Sequence, residues 1–171
     1  MTLFTKNRFQ QQAIILLSAQ MPKSPHKLEA FKDNFHTLIN TFNRYEMGQK
    51  IAVLGDYLLI EEALLKNTSW LFAYNSAYEQ PMITSLQRGT SLIKDHIESA
   101  MIWPLNAQIQ PPAIIEHMLM DQKQNLDKVI KSEDQLFPVC IPKNRFRFLL
   151  SLPPSQSLHD VVNYNLVFSK P

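Results

Sequence analysis

His117 and Asp121 stand four residues apart in the stretch from Pro111 to Asp121. On a helix that spacing sets an imidazole and a carboxylate side by side on one face. Helical bundles hold metal ions with such pairs when both project into the core. Glu116 adjoins the pair, and Glu61, Glu62 and His96 are the ligand-type side chains that other helices would have to supply. Together these six define a metal-site alternative, for iron, manganese or zinc. A helical wheel argues against it. With Ile115 at zero, Leu119, Leu126 and Ile130 fall at about 40°, 20° and 60°, whereas His117 and Asp121 fall at about 200° and 240°. The pair turns away from the apolar stripe, and the simpler reading is a solvated face.

Other chemistries find less support. The chain has three glycines, Gly48, Gly55 and Gly89, all isolated, so it holds neither a G-x-G-x-x-G fingerprint nor a Walker loop. The nucleotide-binding superfolds are not expected on that ground. No serine sits in a G-x-S-x-G elbow. A single cysteine, Cys140, excludes an intramolecular disulfide and paired-thiolate zinc sites. Its neighbours Pro138, Val139, Ile141 and Pro142 make an apolar setting that leaves a thiol inert. His159 and Asp160 read as loop polarity. Arg145 and Arg147 alternate with Phe146 and Phe148, which places cations and aromatics on opposite faces of a strand and makes single-stranded nucleic acid a poor fit. No catalytic residue is assigned, and the sequence points away from an enzyme.

The elements that would position these residues read as helices over 7–132. Leu28, Phe31, Phe35, Leu38, Phe42 and Tyr45 recur at spacings of three and four, an unbroken apolar seam. Ser24 and Pro25 supply an N-cap and a first-turn proline, so this helix should run from about 25 to 47, with Gly48 stopping it. A preceding helix is expected over about 6–20, on Phe9, Ala13 and Leu16. A third starts near Ile51 on Leu54, Leu58 and Leu65, followed by a short one through Trp70 and Tyr74. Another opens after Pro81, carries Leu86, Ile93, Ile97 and Ala100, and closes at Trp103 and Pro104; the last covers about 112–132. Beyond Glu133 the prolines at 138, 142, 153 and 154 forbid a long helix. Phe146, Phe148, Leu150 and Leu152, then Val162, Tyr164, Leu166 and Phe168, alternate as two antiparallel strands would.

The order of these parts, with the acid-His-x-x-x-acid string Glu116-His117 to Asp121, resembles ferritin-like four-helix-bundle proteins. In that family an earlier helix completes the two-metal centre. Here Gln10, Gln11 and Gln12 stand at the corresponding place, so the resemblance implies a bundle lacking its first-helix ligands as readily as one that keeps its centre.

The chain of 171 residues is long enough for one domain with its own core. The expected fold is mainly α: a four- to five-helix up-and-down bundle over 1–133, with a proline-rich segment at 134–171 forming a β-hairpin or extended arm on the bundle or on a partner. The leading function is a non-enzymatic protein–protein interaction protein, an adaptor, chaperone-like factor, inhibitor or immunity protein. Phe137, Arg145, Arg147, Tyr164 and Phe168 form its contact surface, and no cofactor is required. The segment holds a surplus of two positive charges, the whole net charge of the chain. Another protein is the expected partner, with a homodimer through this segment a further option. The alternatives are the ferritin-like metal protein and an apolar small-ligand binder between helices, which 17 aromatics and seven methionines could line. No apolar run approaches the ~20 residues of a membrane span, a charge of +2 argues against nucleic acid, and the cytoplasm is the expected compartment.

Overall fold

In the computed structural model, the apolar run Ala13–Leu17 is the centre of a six-stranded sheet, not a helix. The structure describes residues 8–17, 23–55, 57–66, 69–77, 79–132 and 135–162, apart from the side chains of 57–59 and 64–65. Strand β1 (Phe9–Leu17) leads into helix α1 (Pro25–Asn43), strand β2 (Met47–Leu54), helix α2 (Tyr57–Lys66) and strand β3 (Leu71–Tyr74). Helix α3 (Ile83–Thr90), strand β4 (Ser99–Pro104) and helix α4 (Pro112–Gln124) follow. The chain continues through the short strands β5 (Ile130–Lys131) and β6 (Val139–Pro142), then helix α5 (Phe146–Ser151) and the single turn α6 (Leu158–Asp160).

The strand order is β3-β2-β1-β4-β6-β5. β1 pairs in parallel with both β2 and β4, Ile15 lying opposite Ile51 and Ile102; β2 and β3 are also parallel. β6 runs antiparallel to β4, Val139 opposite Ile102, and β5 antiparallel to β6. Ala13–Leu17, Ile51–Leu54 and Ala100–Trp103 are all buried, because helices cover both faces. Ile14, Leu16, Ala52, Leu54, Met101, Trp103 and Cys140 face Phe35, Leu38 and Phe42 of α1 and Ile115 and Leu119 of α4. Ile15, Leu17, Ile51, Val53, Ile102, Val139 and Ile141 face Ile83 and Leu86 of α3, Leu149 of α5, and Leu158, Val161 and Val162. This is a three-layer α/β architecture.

The mainly α bundle, and with it the ferritin-like resemblance, is therefore overturned by the sheet. α1 occupies 25–43, where a helix over 25–47 is expected, but Gly48 is not its stop. Gly48 lies inside β2, where a Cβ would fall on the Gln10 carbonyl and 2.7 Å from the Ile97 Cδ1, so β1 and β2 can approach here only without a side chain. Nor is there a strand over 145–152. A 3-10 turn at Lys143–Arg145 runs into α5, which buries Leu149 against α3, while Gln87 Nε2 donates to the Leu149 and Leu152 carbonyls at 3.1 and 2.7 Å. The second expected strand lies outside the described residues beyond Val162. Among the described residues no helix is long and apolar enough to cross a membrane.

Candidate functional site

From β1 the chain proceeds to β2 and β3 on one side, while β4 lies on the other. At such a switch point the loops leaving the carboxyl ends of the two central strands part in opposite directions and open a crevice, the usual ligand site of open α/β sheets. Here the switch lies between β1, ending at Leu17, and β4, ending at Pro104. The chain after β4 is pinned across it. Leu105 N–H donates to the Leu17 carbonyl at 2.8 Å, Ala107 N–H closes a turn on the Pro104 carbonyl at 2.9 Å, and Asn34 Nδ2 donates from α1 to the Leu105 carbonyl.

α1 enters this crevice by its first turn. Ser24 has extended backbone and its Oγ accepts the Lys27 N–H at 3.4 Å, while Pro25 occupies a position whose missing N–H would have had no helical partner. No acid follows in the first turn; His26 and Lys27 stand there instead. A cation at the third helical position faces the positive end of the peptide dipoles, an arrangement that costs stability unless something negative arrives. Lys27 lines a cleft of about 530 Å³ together with Phe31, Asp33, Asn34 and Thr37 of α1 and Leu105, Asn106 and Ile109 beyond β4.

A second cleft, of about 490 Å³, opens on the other side of Asn106. Its walls are Pro81 and Met82 before α3, Pro104, Ala107, Phe137, and Ser155, Ser157, Leu158 and His159 around α6. Ser157 caps α6 by accepting the Asp160 N–H at 3.4 Å, and His159 Nδ1 lies 3.4 Å from Asp160 Oδ1. An amide chain ties the segment after β4 to the one before β6: Gln110 Nε2 donates to Gln135 Oε1, and Gln135 Nε2 donates to Gln108 Oε1 at 3.0 Å.

Of the residues singled out from sequence, Phe137 reaches the second cleft, because it precedes β6 at the carboxyl end of β4. Half-buried Arg145 and exposed Arg147 follow β6 at the opposite edge, where Lys143 lies 3.3 Å from Glu98. Tyr164 and Phe168 lie outside the described residues. Glu61 and Glu62 are exposed on α2, Glu62 3.5 Å from Lys66, and His96 is exposed before β4. Glu116 and His117 are exposed on α4, where the Tyr45 hydroxyl donates to Glu116 at 3.3 Å, and Asp121 accepts from Asn125 Nδ2 at 2.9 Å. Burial, and then the Glu116 charge, raise the Tyr45 phenol above its usual value. Among the described residues no three of His, Cys, Asp and Glu gather as a metal-holding group. Gln12 instead packs under α4, its Nε2 donating to the Leu119 carbonyl at 2.9 Å. Cys140 is fully buried, and burial pushes its thiol pKa strongly up.

Sequence reasoning missed Lys27, Asn34, Asn106 and the Ser155–His159 segment. The available signal was an apolar run, a short polar loop and a Ser-Pro cap in succession, which is how a strand passes into a helix at such a crevice.

No protein-family model matches the chain, and no curated protein matches it in sequence. Solved structures do match. Rv0371c from Mycobacterium tuberculosis H37Rv superposes with a TM-score of 0.69 at 13% identity, covering 90% of this chain and 82% of that one. The same protein in complex with manganese gives 0.62 at 14%, over 88% and 79%. A nucleotidyl transferase from Methanothermobacter gives 0.62 at 13%, over 91% and 83%. A 4-diphosphocytidyl-2C-methyl-D-erythritol synthase from Anaerococcus prevotii gives 0.64 at 12%, over 94% and 84%. The expectation of a non-enzymatic interaction protein falls with the helical bundle that carried it, since two of these neighbours bear the names of enzymes. Scarce glycine rules out the glycine-rich loops but not this architecture. At these identities the likeness is one of fold: the chain is built as the nucleotidyl transferase and the synthase are built.

Proposed function

We propose that this chain is a nucleotide-handling enzyme of the nucleotidyl-transfer type, with its ligand in the crevice at the carboxyl ends of β1 and β4. The observation that carries the reading is Lys27: a cation in the first turn of α1, without an ion pair among the described residues, on the wall of the cleft that the strand topology opens. Nucleotidyl transfer joins an acceptor oxygen to the α-phosphorus as the bond to pyrophosphate breaks, so the protein must position two partners and offset phosphate charge. The Lys27 side of the crevice suits the phosphates, with the positive end of the α1 peptide dipoles close by. The Phe137 and His159 side suits the second organic group, and Asn106, shared by both clefts, is placed to donate between them.

Manganese accompanies one neighbour, Rv0371c, and a divalent ion here would depend on the residues present. Such an ion takes hard oxygen ligands in near-octahedral geometry, with carboxylates fixing it to the protein. Among the described residues lining the two clefts, Asp33 is the sole carboxylate, and it is exposed. Residues 18–24 after β1 and 105–115 after β4 contain no Asp or Glu. Among the described residues these walls do not fit the ion, and no step is routed through one.

The test is calorimetric titration with CTP, UTP, ATP and GTP. One should bind with unit stoichiometry, and Lys27→Ala should weaken it about tenfold or more, the scale of one lost charge-assisted contact. No binding at millimolar concentration, or equal binding by the variant, refutes the reading.

A further inference from the structure

Gln10, Gln11 and Gln12 stand at the opposite end of β1 from the crevice. Phe9 lies opposite Met47 and Ala13 opposite Gln49, four residues along β1 against two along β2, so the glutamines form a bulge. Bulges re-aim side chains and recur beside functional sites. This one is anchored on β4: Gln12 pairs with Ser99, and Glu98 N–H donates to the Gln11 carbonyl at 2.7 Å. On the β2 side, Gly48 leaves room for the Gln10 carbonyl.

The bulge is one wall of a cleft of about 340 Å³, lined by residues 8–12 with Lys123 and Leu126. Two observations point to a ligand there. The first is charge. Lys123 Nζ donates to the Arg8 carbonyl at 3.3 Å, and neither the Arg8 nor the Lys123 side chain has an ion pair among the described residues. No Asp or Glu is among the described residues lining the cleft, and residues 1–7, which precede Arg8 in the chain, contain none. The second is a buried acceptor. Gln12 is 3% exposed; its Nε2 donates to the Leu119 carbonyl, while Oε1 has no hydrogen-bond partner among the described residues. A buried acceptor left so is costly, and a ligand hydroxyl would satisfy it. The facing wall is already fixed. Gln122 Nε2 donates to the Asn125 and Lys128 carbonyls at 2.9 and 3.1 Å, which closes the turn that carries exposed Leu126.

Independently of the nucleotide reading, we propose that this cleft binds a small organic dianion that carries a hydroxyl, either a phosphate monoester or a dicarboxylate. Arg8 and Lys123 meet the charged groups, as guanidinium and ammonium donors do in charge-assisted pairs. Gln12 Oε1 accepts from the hydroxyl, and Leu126 covers the carbon skeleton.

The experiment is calorimetric titration of the full chain with two matched pairs, malate against succinate and glycerol phosphate against propyl phosphate. Within each pair the charge is kept and the hydroxyl is lost. At least one hydroxylated member should bind with unit stoichiometry, about tenfold or more tighter than its match. Which pair shows the preference identifies the source of the anion. Arg8→Ala and Lys123→Ala, both at exposed side chains, should each weaken that ligand about tenfold or more. Gln12→Met should erase the preference within the pair and leave the affinity of the unhydroxylated member as it was. If that variant does not fold, the preference in the unaltered chain and the two exposed variants still decide. No binding at millimolar concentration, equal affinity within both pairs, or full affinity in both cation variants overturns the proposal. Each of those results leaves the nucleotide reading of the crevice standing.

Discussion

Replacing Lys27 by glutamate should make the protein more stable and worse at binding. Ser24 is the N-cap of α1 and Lys27 its third helical residue, so the string Ser24-Pro25-His26-Lys27 is one substitution away from a capping box. The introduced carboxylate would accept the Ser24 N–H while Ser24 continues to accept the N–H of residue 27. It would also exchange a cation for an anion at the positive end of the helix, each charge being worth about 0.3–1 kcal/mol in an exposed first turn. A net gain of about 1 kcal/mol follows, which for a domain of this size raises the Tm by roughly 2–4 °C. The gain should shrink in high salt, because the dipole part is screened. Thermal melts by circular dichroism at low and high salt measure the first half; nucleotide titration measures the second, where affinity should fall by about tenfold or more. A Tm that falls, or nucleotide affinity that survives, would refute the claim that a locally unfavourable lysine is retained for an anionic ligand.

Three further outcomes follow from the geometry. Asn34→Ala removes the donor to the Leu105 carbonyl and should cost about 1 kcal/mol in urea unfolding, with weaker nucleotide binding because the wall beyond β4 loses its tie to α1. Gly48→Ala drives a methyl onto the Gln10 carbonyl between β1 and β2; it should cost about 3 kcal/mol or abolish soluble expression, and wild-type stability in that variant would disprove the close approach. Tyr45 retains its proton in the folded state to a higher pH than in the unfolded chain, from burial first and Glu116 second. Its contribution is therefore complete below the ordinary value of 10.0 and is lost as the pH rises through the folded value. Glu116→Gln should make that alkaline loss shallower in urea midpoints measured across this range.

α1 was legible in the sequence because it is long enough to show several turns of its seam and carries a cap that names its first residue. The strands were not, and the reason is burial. Ala13–Leu17, Ile51–Leu54 and Ala100–Trp103 are covered on both faces, so the alternation that betrays a half-exposed strand is absent. A run of four or five apolar residues is compatible with either a buried strand or a piece of helix. Leu54, Leu58 and Leu65 fit a helical spacing only because β2 and α2 happen to abut across Gly55 and Asp56. The opposite error at Phe146–Ser151 has the same root. A helix of six residues makes fewer than two turns, and over so short a span a period of two is indistinguishable from chance.

The site is less legible than the fold, because residue types alone point to the wrong chemistry. His117 and Asp121 are conspicuous as a spacing, yet they lie on α4 and line neither cleft. In a doubly covered sheet the reactive position is set by topology: it is where the chain leaves adjacent strands in opposite directions, and any side chain there inherits a role. Lys27 has no motif around it, and in the sequence it is simply a charge on the outer face of an amphipathic helix. It becomes informative only when α1 is known to start at the carboxyl end of β1, because a cation at the third position of a capped helix, without an ion pair among the described residues, then opposes the local electrostatics where the crevice opens. A well-capped helix that omits an acid from its first turn and places a lysine there has given up stability at its N-terminus, and a bound anion is the simplest thing that would restore it.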